Sequence, residues 1–369
     1  MKIITFKWMI IAVMLATCCS PILTSCGDDE PSNNNGNSSV SPGQNGNGSG
    51  TALNIGAEFS DGNIRYEVIN SEKEVAAIGL VDKQVSSANI PSTVKHGGTI
   101  YKITRVGKEY DYFFYSDNVV YAQENKWGNI NNVVIPETVT RISTYAFSSC
   151  SFLSEISIPN SVISIGGGAF SGTKWEKERS SQKIVYAGLV AYKINMRPEE
   201  IVVLTSVEIK DGTKGIADGL FDQFEFQKEI DVHYDYEKIV KWTVNLPNSI
   251  IHIGNYSFAN NRYGLMSVSL PQSLRSIGEG AFRNCKLFES VTIPQSVTSI
   301  GEYAFKGCHG LREVHSKITS PFPIEPETFA NYNNQNLYVI LYVPRGTMQK
   351  YIDTAGWTGL NGFRTIVEE

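Results

Sequence analysis

The sequence lacks the features that would mark it as an enzyme or a nucleic-acid-binding protein. It has no glycine-rich phosphate loop leading into a helix and no Gly-x-Ser-x-Gly nucleophile elbow. Its five histidines have no metal-ligand spacing, and His309 and His315 are better interpreted as surface residues than as a metal pair. Lysine and arginine do not cluster, and the net charge is -5, which argues against a nucleic-acid partner. We therefore expect no catalytic residue, no metal site and no cofactor.

A long apolar run is also missing. The apolar stretch near the N-terminus, Trp8–Leu15, is too short for a transmembrane anchor. Lys2 and Lys7 precede it, so the segment has the charged region and the short apolar region of a secretory signal. We expect residues 1–25 to be removed, which makes the chain two charges more negative because two lysines and no acid are lost.

The residues behind this signal resemble a lipid-attachment motif. The sequence LTSC, which ends at Cys26, is similar to a bacterial lipobox, and an ordinary signal with a chance cysteine is the alternative. The GDDE that follows resembles the signal that sends Bacteroidetes lipoproteins to the outer face of the outer membrane. Lipid chains anchor a protein durably when more than one is attached. The resemblance implies a protein anchored through Cys26 to the cell outer membrane and exposed at the surface.

The next stretch is too polar to fold. Residues 31–51 read PSNNNGNSSVSPGQNGNGSGT, with almost no apolar side chains, and therefore cannot form a core. A flexible chain of this length spans on the order of 25 Å. We interpret residues 26–51 as the lipidated cysteine and a flexible linker that holds the folded part clear of the lipid headgroups.

A unit of about 23 residues repeats along the rest of the chain. Each unit reads Leu-x-x-Ile-x-Ile-Pro, then Val-x-x-Ile-Gly, then Ala-Phe-x-x-Cys, as in IPQSVTSIGEYAFKGC. Successive unit prolines are 23 or 24 residues apart, a regularity that chance does not explain. Seven copies share the pattern: clear ones from Ile135, Leu270 and Ile293, weaker ones from Ile158 and Leu246, a degenerate one from Ile209 and an interrupted one from Ile90.

The residues of one unit predict two short strands and a turn. Alternation over residues 155–158 predicts the first strand, which Pro159 ends because proline cannot donate to the ladder. Ile165 points a second segment inward, Gly166 permits the turn, and Phe170 fills the interior. A unit buries about six apolar side chains at roughly 1.5–3 kcal/mol each. Ordering its backbone costs ~1–2 kcal/mol per residue, so the units fold only as a stacked array.

This pattern resembles the BspA-like leucine-rich-repeat family of surface lipoproteins from Bacteroidetes-type bacteria. Residues 63–75 resemble the family's N-terminal hairpin cap, and residues 341–369 resemble its C-terminal cap. The resemblance implies a mostly β, right-handed solenoid with a cap over 52–89, repeats over 90–317 and a cap over 318–369. Because the family includes adhesins that bind host proteins, a binding role is implied without a named partner.

The body of the chain has too few cysteines for a disulfide framework. Three of the six cysteines lie in the first 26 residues, and an odd number remains, so at least one is not in an intramolecular disulfide. The three occupy the same repeat position, which favours buried structural thiols: Cys150, Cys285 and Cys308. Stacking would bring the last two within disulfide range, but their parallel side-chain directions argue against a bond.

Three insertions depart from the repeat, near residues 114–130, 174–203 and 222–243. All enter at the same point of the unit, so they should emerge on one rim of the solenoid. They carry aromatic side chains, which either form a contact surface or pack the insertions onto the repeats. Packing is favoured for Tyr186 and Tyr192, in a segment that resembles a hairpin of the family. The candidate contact residues are Tyr115, Trp127, Trp175, Tyr234, Tyr236 and Trp242.

We therefore expect a monomeric protein-binding scaffold that adheres to a host or microbial surface protein. The alternative is a glycan-binding surface protein of a polysaccharide-capture system. Exposed coplanar aromatic rings would favour the glycan, and a continuous patch of mixed charge would favour the protein. The third insertion is acidic, with Asp231, Asp235 and Glu237, and this segment is either a solvated loop or a calcium site.

Replacement of the predicted lipidated cysteine tests the anchor. Without its thiol the chain has no acyl attachment site, so we expect Cys26→Ala to appear in the soluble fraction, while Cys19→Ala stays with the membrane. Cell fractionation with metabolic palmitate labelling measures both. A Cys26→Ala protein that stays labelled and membrane-bound would refute lipidation at this residue.

Overall fold

The computed structural model is mostly β, which confirms the predicted fold class. Within the described residues, short helices include α1 (Lys174–Lys177) and α2 (Met348–Asp353), and no helix there is long and apolar enough to cross a membrane. The structure describes residues 52–109, 126–196, 200, 204–222, 241–262, 264–330, 339–358, 363 and 365–369.

The N-terminal end is an antiparallel meander that turns into the repeats. Strands β1 (Glu58–Asp61), β2 (Ile64–Val68) and β3 (Glu74–Leu80) pair in order, and β3 then pairs in parallel with β6 (Thr99–Val106). Strand β5 (Thr93–His96) forms a hairpin with β6. This arrangement covers the first repeat with paired backbone, so the end of the solenoid leaves no exposed core there.

The later turns contribute strands to two sides of the solenoid. On the long-strand side, ten described strands form parallel sheets of three, three and four. They are β4 (Ser87–Asn89), β7 (Asn132–Val134) and β9 (Glu155–Ser157); β13 (Ser206–Glu208), β15 (Trp242–Asn245) and β17 (Leu265–Val268); and β19 (Ser290–Ile293), β21 (Glu313–Ser316), β22 (Ile340–Val343) and β23 (Thr365–Glu368).

The short-strand side is built from two-residue strands that stack in parallel between β6 and the C-terminal end. Each of these strands ends in the isoleucine of the repeat that points inward, and all of these isoleucines are buried. They are β8 (Arg141–Ile142), β10 (Ser164–Ile165), β14 (Gly215–Ile216), β16 (His252–Ile253), β18 (Ser276–Ile277) and β20 (Ser299–Ile300).

The second insertion folds as a hairpin and divides the core. Strands β11 (Ile184–Ala187) and β12 (Val190–Ile194) pair antiparallel, as the sequence predicted, and β12 then pairs with β14. The buried apolar residues form two clusters that meet in this hairpin. Val190 belongs to the N-terminal cluster, and its neighbour Ala191 belongs to the C-terminal one.

A column of stacked phenylalanines fills the interior of the C-terminal cluster. The ring centroids of Phe221 and Phe258 are 4.8 Å apart, and Phe282 is 5.2 Å from both Phe258 and Phe305. The rings are nearly parallel, and each of these side chains is almost completely buried. The predicted role of the repeat phenylalanine is therefore confirmed, and each ring is a contact shared by two turns.

The glycine of the repeat is required for a different reason from the turn that the sequence predicted. The backbone of Gly166 is not in the left-handed region, so no turn requires it. A Cβ added there would lie 2.1 Å from the amide nitrogen of Thr144 in the preceding turn. Gly254, Gly278 and Gly301 meet the preceding turn in the same way. Close approach of stacked backbones, rather than a positive φ, therefore excludes a side chain here.

The repeat cysteines are buried thiols, as predicted. The Cys285 thiol donates to the Phe258 carbonyl oxygen at 3.2 Å, and the Cys308 thiol donates to the Phe282 carbonyl oxygen at 3.1 Å. Burial raises the pKa of both the Cys308 and Cys150 thiols to about 12. The thiol is therefore neutral, and it links one turn to a carbonyl of the turn before.

A buried ion pair crosses the boundary between the two core clusters. Arg141 on β8 donates to the Asp218 carboxylate at 2.9 Å and to Glu109 at 2.6 Å. The Asp218 side chain is almost fully buried, and burial raises the pKa of its carboxyl while Arg141 opposes that shift. Glu109 also pairs with Arg105 at 3.5 Å. The guanidinium of Arg141 therefore joins the N-terminal turns to the first turn beyond the hairpin.

Truncation of a central ring of the phenylalanine column should destabilise the solenoid strongly. We expect Phe282→Ala to lower the free energy of unfolding by ~3–5 kcal/mol, because it removes contacts of two turns and leaves a cavity. The exposed Phe152 serves as the control, and its alanine variant should change stability by less than about 0.5 kcal/mol. Urea denaturation followed by circular dichroism measures both, and equal effects would contradict the shared-ring account.

Removal of one charge of the buried pair should be nearly as costly. Asp218→Asn leaves Arg141 buried with one carboxylate fewer, so we expect a loss of about 3 kcal/mol. The exposed pair of Lys174 and Glu178, 3.7 Å apart, provides the control, and Glu178→Gln should cost less than about 1 kcal/mol. The same denaturation experiment compares them. An Asp218→Asn protein as stable as the parent would show that the pair does not join the two halves.

Candidate binding surface

The tryptophans predicted to form a contact surface lie in the core, so this part of the prediction is wrong. Trp127 and Trp242 are 0% exposed and Trp175 is 4% exposed. Trp127 lies 5.1 Å from Phe147, Trp175 lies 4.8 Å from Phe170, and Trp242 lies 5.7 Å from Phe221, measured between ring centroids. Each indole therefore packs beside a repeat phenylalanine and is closed to a ligand.

Local structure explains why these indoles turn inward. Trp242 is the first residue of β15 and pairs in register with the buried Leu265, so it occupies a core position of the strand. Trp175 lies on α1, which Thr173 caps by accepting from the Glu176 amide. The Arg179 guanidinium covers the outer side of this indole at 4.2 Å. The ends of the insertions are thus the places where the chain re-enters the core.

The hairpin tyrosines are held by the solenoid, as the sequence-based interpretation favoured. The Tyr192 hydroxyl accepts from the Phe170 amide, and the Tyr186 hydroxyl accepts from the Lys210 amide, both at 3.0 Å. Tyr115, Tyr234 and Tyr236 lie outside the described residues, as do Asp231, Asp235 and Glu237. Their predicted contact role and the calcium question therefore stay predictions.

The outward positions of the long-strand side form an extended accessible surface in the described part of the chain. Alternation directs every second side chain of each strand outward, and parallel register aligns them in two columns. We call this surface the strand face. Each of its residues is exposed or half-buried: Ser87, Asn89, Asn132, Val134, Glu155, Ser157, Ser206, Glu208, Thr243, Asn245, Met266, Ser267, Ser290, Thr292, Glu313, His315, Ile340, Tyr342, Thr365 and Val367.

One part of the strand face is larger and less polar than the rest. The rings of His315 and Tyr342 stack at 4.5 Å with an interplanar angle of 6°. On its other side Tyr342 is in register with Val367, and Ile340 is the outward neighbour on the same strand. We call these four residues the aromatic patch. Elsewhere the strand-face positions are mainly Ser, Thr, Asn and Glu, with Val134 and Met266 as single exposed apolar residues, so the patch is a local concentration of apolar area.

Charged side chains frame the aromatic patch. Glu313 and Glu369 approach the two ring nitrogens of His315, at 3.3 Å and 3.0 Å. Lys317 donates to the same Glu369, and this interaction together with that of His315 lowers the pKa of the Glu369 carboxyl. An apolar centre with a polar, charged rim is the composition of protein interfaces. The arrangement carries mixed charge, the feature that favours a protein over a glycan.

Sequence reasoning passed over this patch. The outward position of His315 was recognised but interpreted as a surface residue, and Tyr342 lies in the C-terminal cap, beyond the clear repeats. The signal was the alternation of ILYV, which is similar to the first strand of a unit. Among the described residues, no group of three or more His, Cys, Asp or Glu side chains could hold a metal ion.

Comparison with known proteins gives one match to a family and several to solved structures. A family model described as a BspA type leucine rich repeat region matches residues 120–239 and 236–341, with 6 copies. No curated protein matches the chain.

The similar structures include a leucine rich cell surface protein from Faecalibacterium prausnitzii A2-165, 17% identical, with 84% of this chain and 100% of that chain covered and a TM-score of 0.28. A leucine-rich repeat protein from Bacteroides ovatus is 17% identical, with 84% and 99% covered and a TM-score of 0.29. The pneumococcal vaccine antigen PcpA is 15% identical, with 86% and 100% covered and a TM-score of 0.28. Identities and scores this low say nothing about a ligand.

The family match agrees with the unit found in the sequence and with the stacked turns of the structure. The matched ranges run from residue 120 to residue 341 and take in more than half of the 369 residues. The chain belongs to the BspA-type leucine-rich-repeat family.

Proposed function

We propose that this protein is a lipid-anchored scaffold of the bacterial surface that adheres to a host or microbial surface protein through its strand face. The observation that carries the proposal is the aromatic patch, an accessible apolar cluster with a charged rim. The family supports a repeat scaffold for binding. The finer role, adhesion, rests on the geometry of this patch and on the N-terminal motif.

The location rests on the N-terminal sequence. The lipobox-like LTSC supports attachment of lipid to Cys26, and the polar residues that follow support a flexible linker. The GDDE segment supports an outer-membrane protein that faces outward. A tether spanning on the order of 25 Å gives the domain freedom to orient its strand face toward a partner.

The geometry of the aromatic patch favours a protein partner over the alternative glycan. A sugar ring stacks on an open aromatic face. One face of Tyr342 is covered by His315, and the other is flanked by Val367, so its edge and hydroxyl are what a partner would meet. Tyrosine presented in this way is typical of residues that dominate protein interfaces.

The charged side chains next to the aromatic patch are arranged for binding a partner rather than for catalysis. The nearest titratable groups, Glu313, Glu369 and Lys317, are engaged with His315 or with each other at the surface. Catalysis needs convergent groups in a concave, water-excluding site, and the patch is open. We therefore assign a non-catalytic binding role. Tyr115, Tyr234 and Tyr236 stay candidate contact residues of the insertions.

Arrays of host and microbial surface proteins and of glycans test this function. The full chain, purified in detergent, should bind one or more proteins, and Tyr342→Ala should weaken that binding at least tenfold, or by about 1.4 kcal/mol. Tyr303→Ala is the matched control, because Tyr303 is also half-buried but lies away from the strand face, and it should bind like the parent.

Binding to glycans alone would replace the proposal with the alternative. Equal losses in Tyr342→Ala and Tyr303→Ala would show that the aromatic patch is not the contact. Biolayer interferometry with the proteins that bind on the array gives the dissociation constants. Circular dichroism of both variants establishes that they are folded.

A further inference from the structure

A repeated pair of carbonyl oxygens carries the stacking on the short-strand side. In the turn of β16, the Ile251 oxygen accepts from the Arg275 amide at 2.9 Å, and the Ile253 oxygen accepts from the Gly278 amide at 2.8 Å. In the next turn, the Arg275 oxygen accepts from Thr298 at 2.8 Å, and the Ile277 oxygen from Gly301 at 2.9 Å. In each of these turns, two carbonyl oxygens that are two residues apart thus accept hydrogen bonds from two amides of the following turn.

The pattern stops at β20. The equivalent carbonyls are those of Thr298 and Ile300, and neither accepts a hydrogen bond from any residue in the described ranges. The long-strand side continues past this level, since β21 is followed by β22 and β23. The short-strand side therefore ends earlier than its partner side, and β20 is its last strand in the described part of the chain.

Two prolines flank Phe322, the residue that stands in the place of Thr298 in the next turn. Counted back from the repeat phenylalanines, Pro321 and Pro323 stand where the turn of β20 has Val297 and Ser299. Proline has no amide hydrogen and is excluded from ladder positions. The Ile324 amide donates instead to the Ala355 oxygen of the C-terminal cap at 3.1 Å, while the Ile324 side chain stays in the core.

An open groove lies beside this edge. Its apolar surface comes from Val297 and Ile318, both nearly buried, and from the half-buried Phe322. Hydroxyl and amide side chains form the rim, among them Thr298, which is exposed, and Thr319. No charged side chain lines it. The groove is open along the strand, which suits a chain lying across it better than a compact molecule enclosed by it.

We propose that the edge of β20 accepts an extended segment of a partner protein, which adds one strand to the short-strand side and places an apolar side chain in the groove. The partner is defined by its chemistry. Two backbone amides donate to the Thr298 and Ile300 oxygens, and an apolar side chain enters between Val297 and Phe322. This is recognition by strand addition, in which main-chain bonds give affinity and the groove gives selectivity. It rests on the proposed protein-binding function but uses a surface distinct from the strand face.

A peptide copy of the chain's own turn is the direct probe. Residues 294–301, PQSVTSIG, contain β20, which pairs in parallel with β18. The added strand would pair with β20 in the same way. We expect the fluorescein-labelled peptide to bind the full chain saturably in an anisotropy titration. The same peptide methylated on the nitrogens equivalent to Thr298 and Gly301 loses both donors and should bind at least tenfold more weakly.

A matched pair of protein variants locates the site. Thr319→Trp places an indole in the groove and should weaken binding of the native peptide at least tenfold. Thr140→Trp makes the same change at an exposed threonine that lies outside both the groove and the strand face, and it should leave binding within twofold. Circular dichroism of both variants checks that they fold.

Absence of binding at 1 mM peptide, taken as about the weakest measurable affinity, would overturn the proposal, as would equal binding of the methylated peptide or equal effects of the two variants. Sedimentation velocity of the chain alone separates a foreign partner from a second copy. A dimer that Thr319→Trp abolishes would overturn the assignment to another protein. Because the array experiment depends on Tyr342 and this one on Thr319, either proposal can fail without the other.

Discussion

The stacking of one turn on the next is the interaction on which the rest of this structure depends. A turn of about 23 residues cannot enclose its own apolar side chains, so its phenylalanine, isoleucines and thiol complete their packing against neighbours. Close stacking in turn requires the repeat glycine, since a Cβ at Gly166 or Gly254 would overlap the preceding backbone. The narrow choice of residues along the repeat follows from this contact, while the outward positions stay free to vary.

The repeat itself could be predicted from the sequence because its cause is local and recurs. Alternation marked the strand of residues 155–157, and the position of Phe170 predicted an interior ring. The tryptophans were misjudged because spacing shows that an insertion exists but not where the chain re-enters the core. Trp242 proved to be a strand residue paired with Leu265. The pair of Arg141 and Asp218 joins positions 77 apart in sequence, and no local pattern indicates it.

The two proposed contact surfaces follow from different departures from the repeat. The aromatic patch arises where the last repeat and the cap replace small hydroxyl residues by His315, Ile340, Tyr342 and Val367 in outward columns. The edge of β20 arises where Pro321 and Pro323 interrupt the short-strand side. In both places the regular turns supply a rigid frame, and a few irregular residues supply the chemistry.

The hairpin of β11 and β12 bears on how such a chain changes over generations. The apolar residues on its two sides form separate clusters, and the two halves meet at β12, where β10 lies against β14, and at the pair of Arg141 and Asp218. Duplication or deletion of a turn within one half therefore leaves the packing of the other half unchanged. The hairpin acts as a fixed junction between two stretches of variable length, and the reach of the surface can be altered without a new cap or a new anchor.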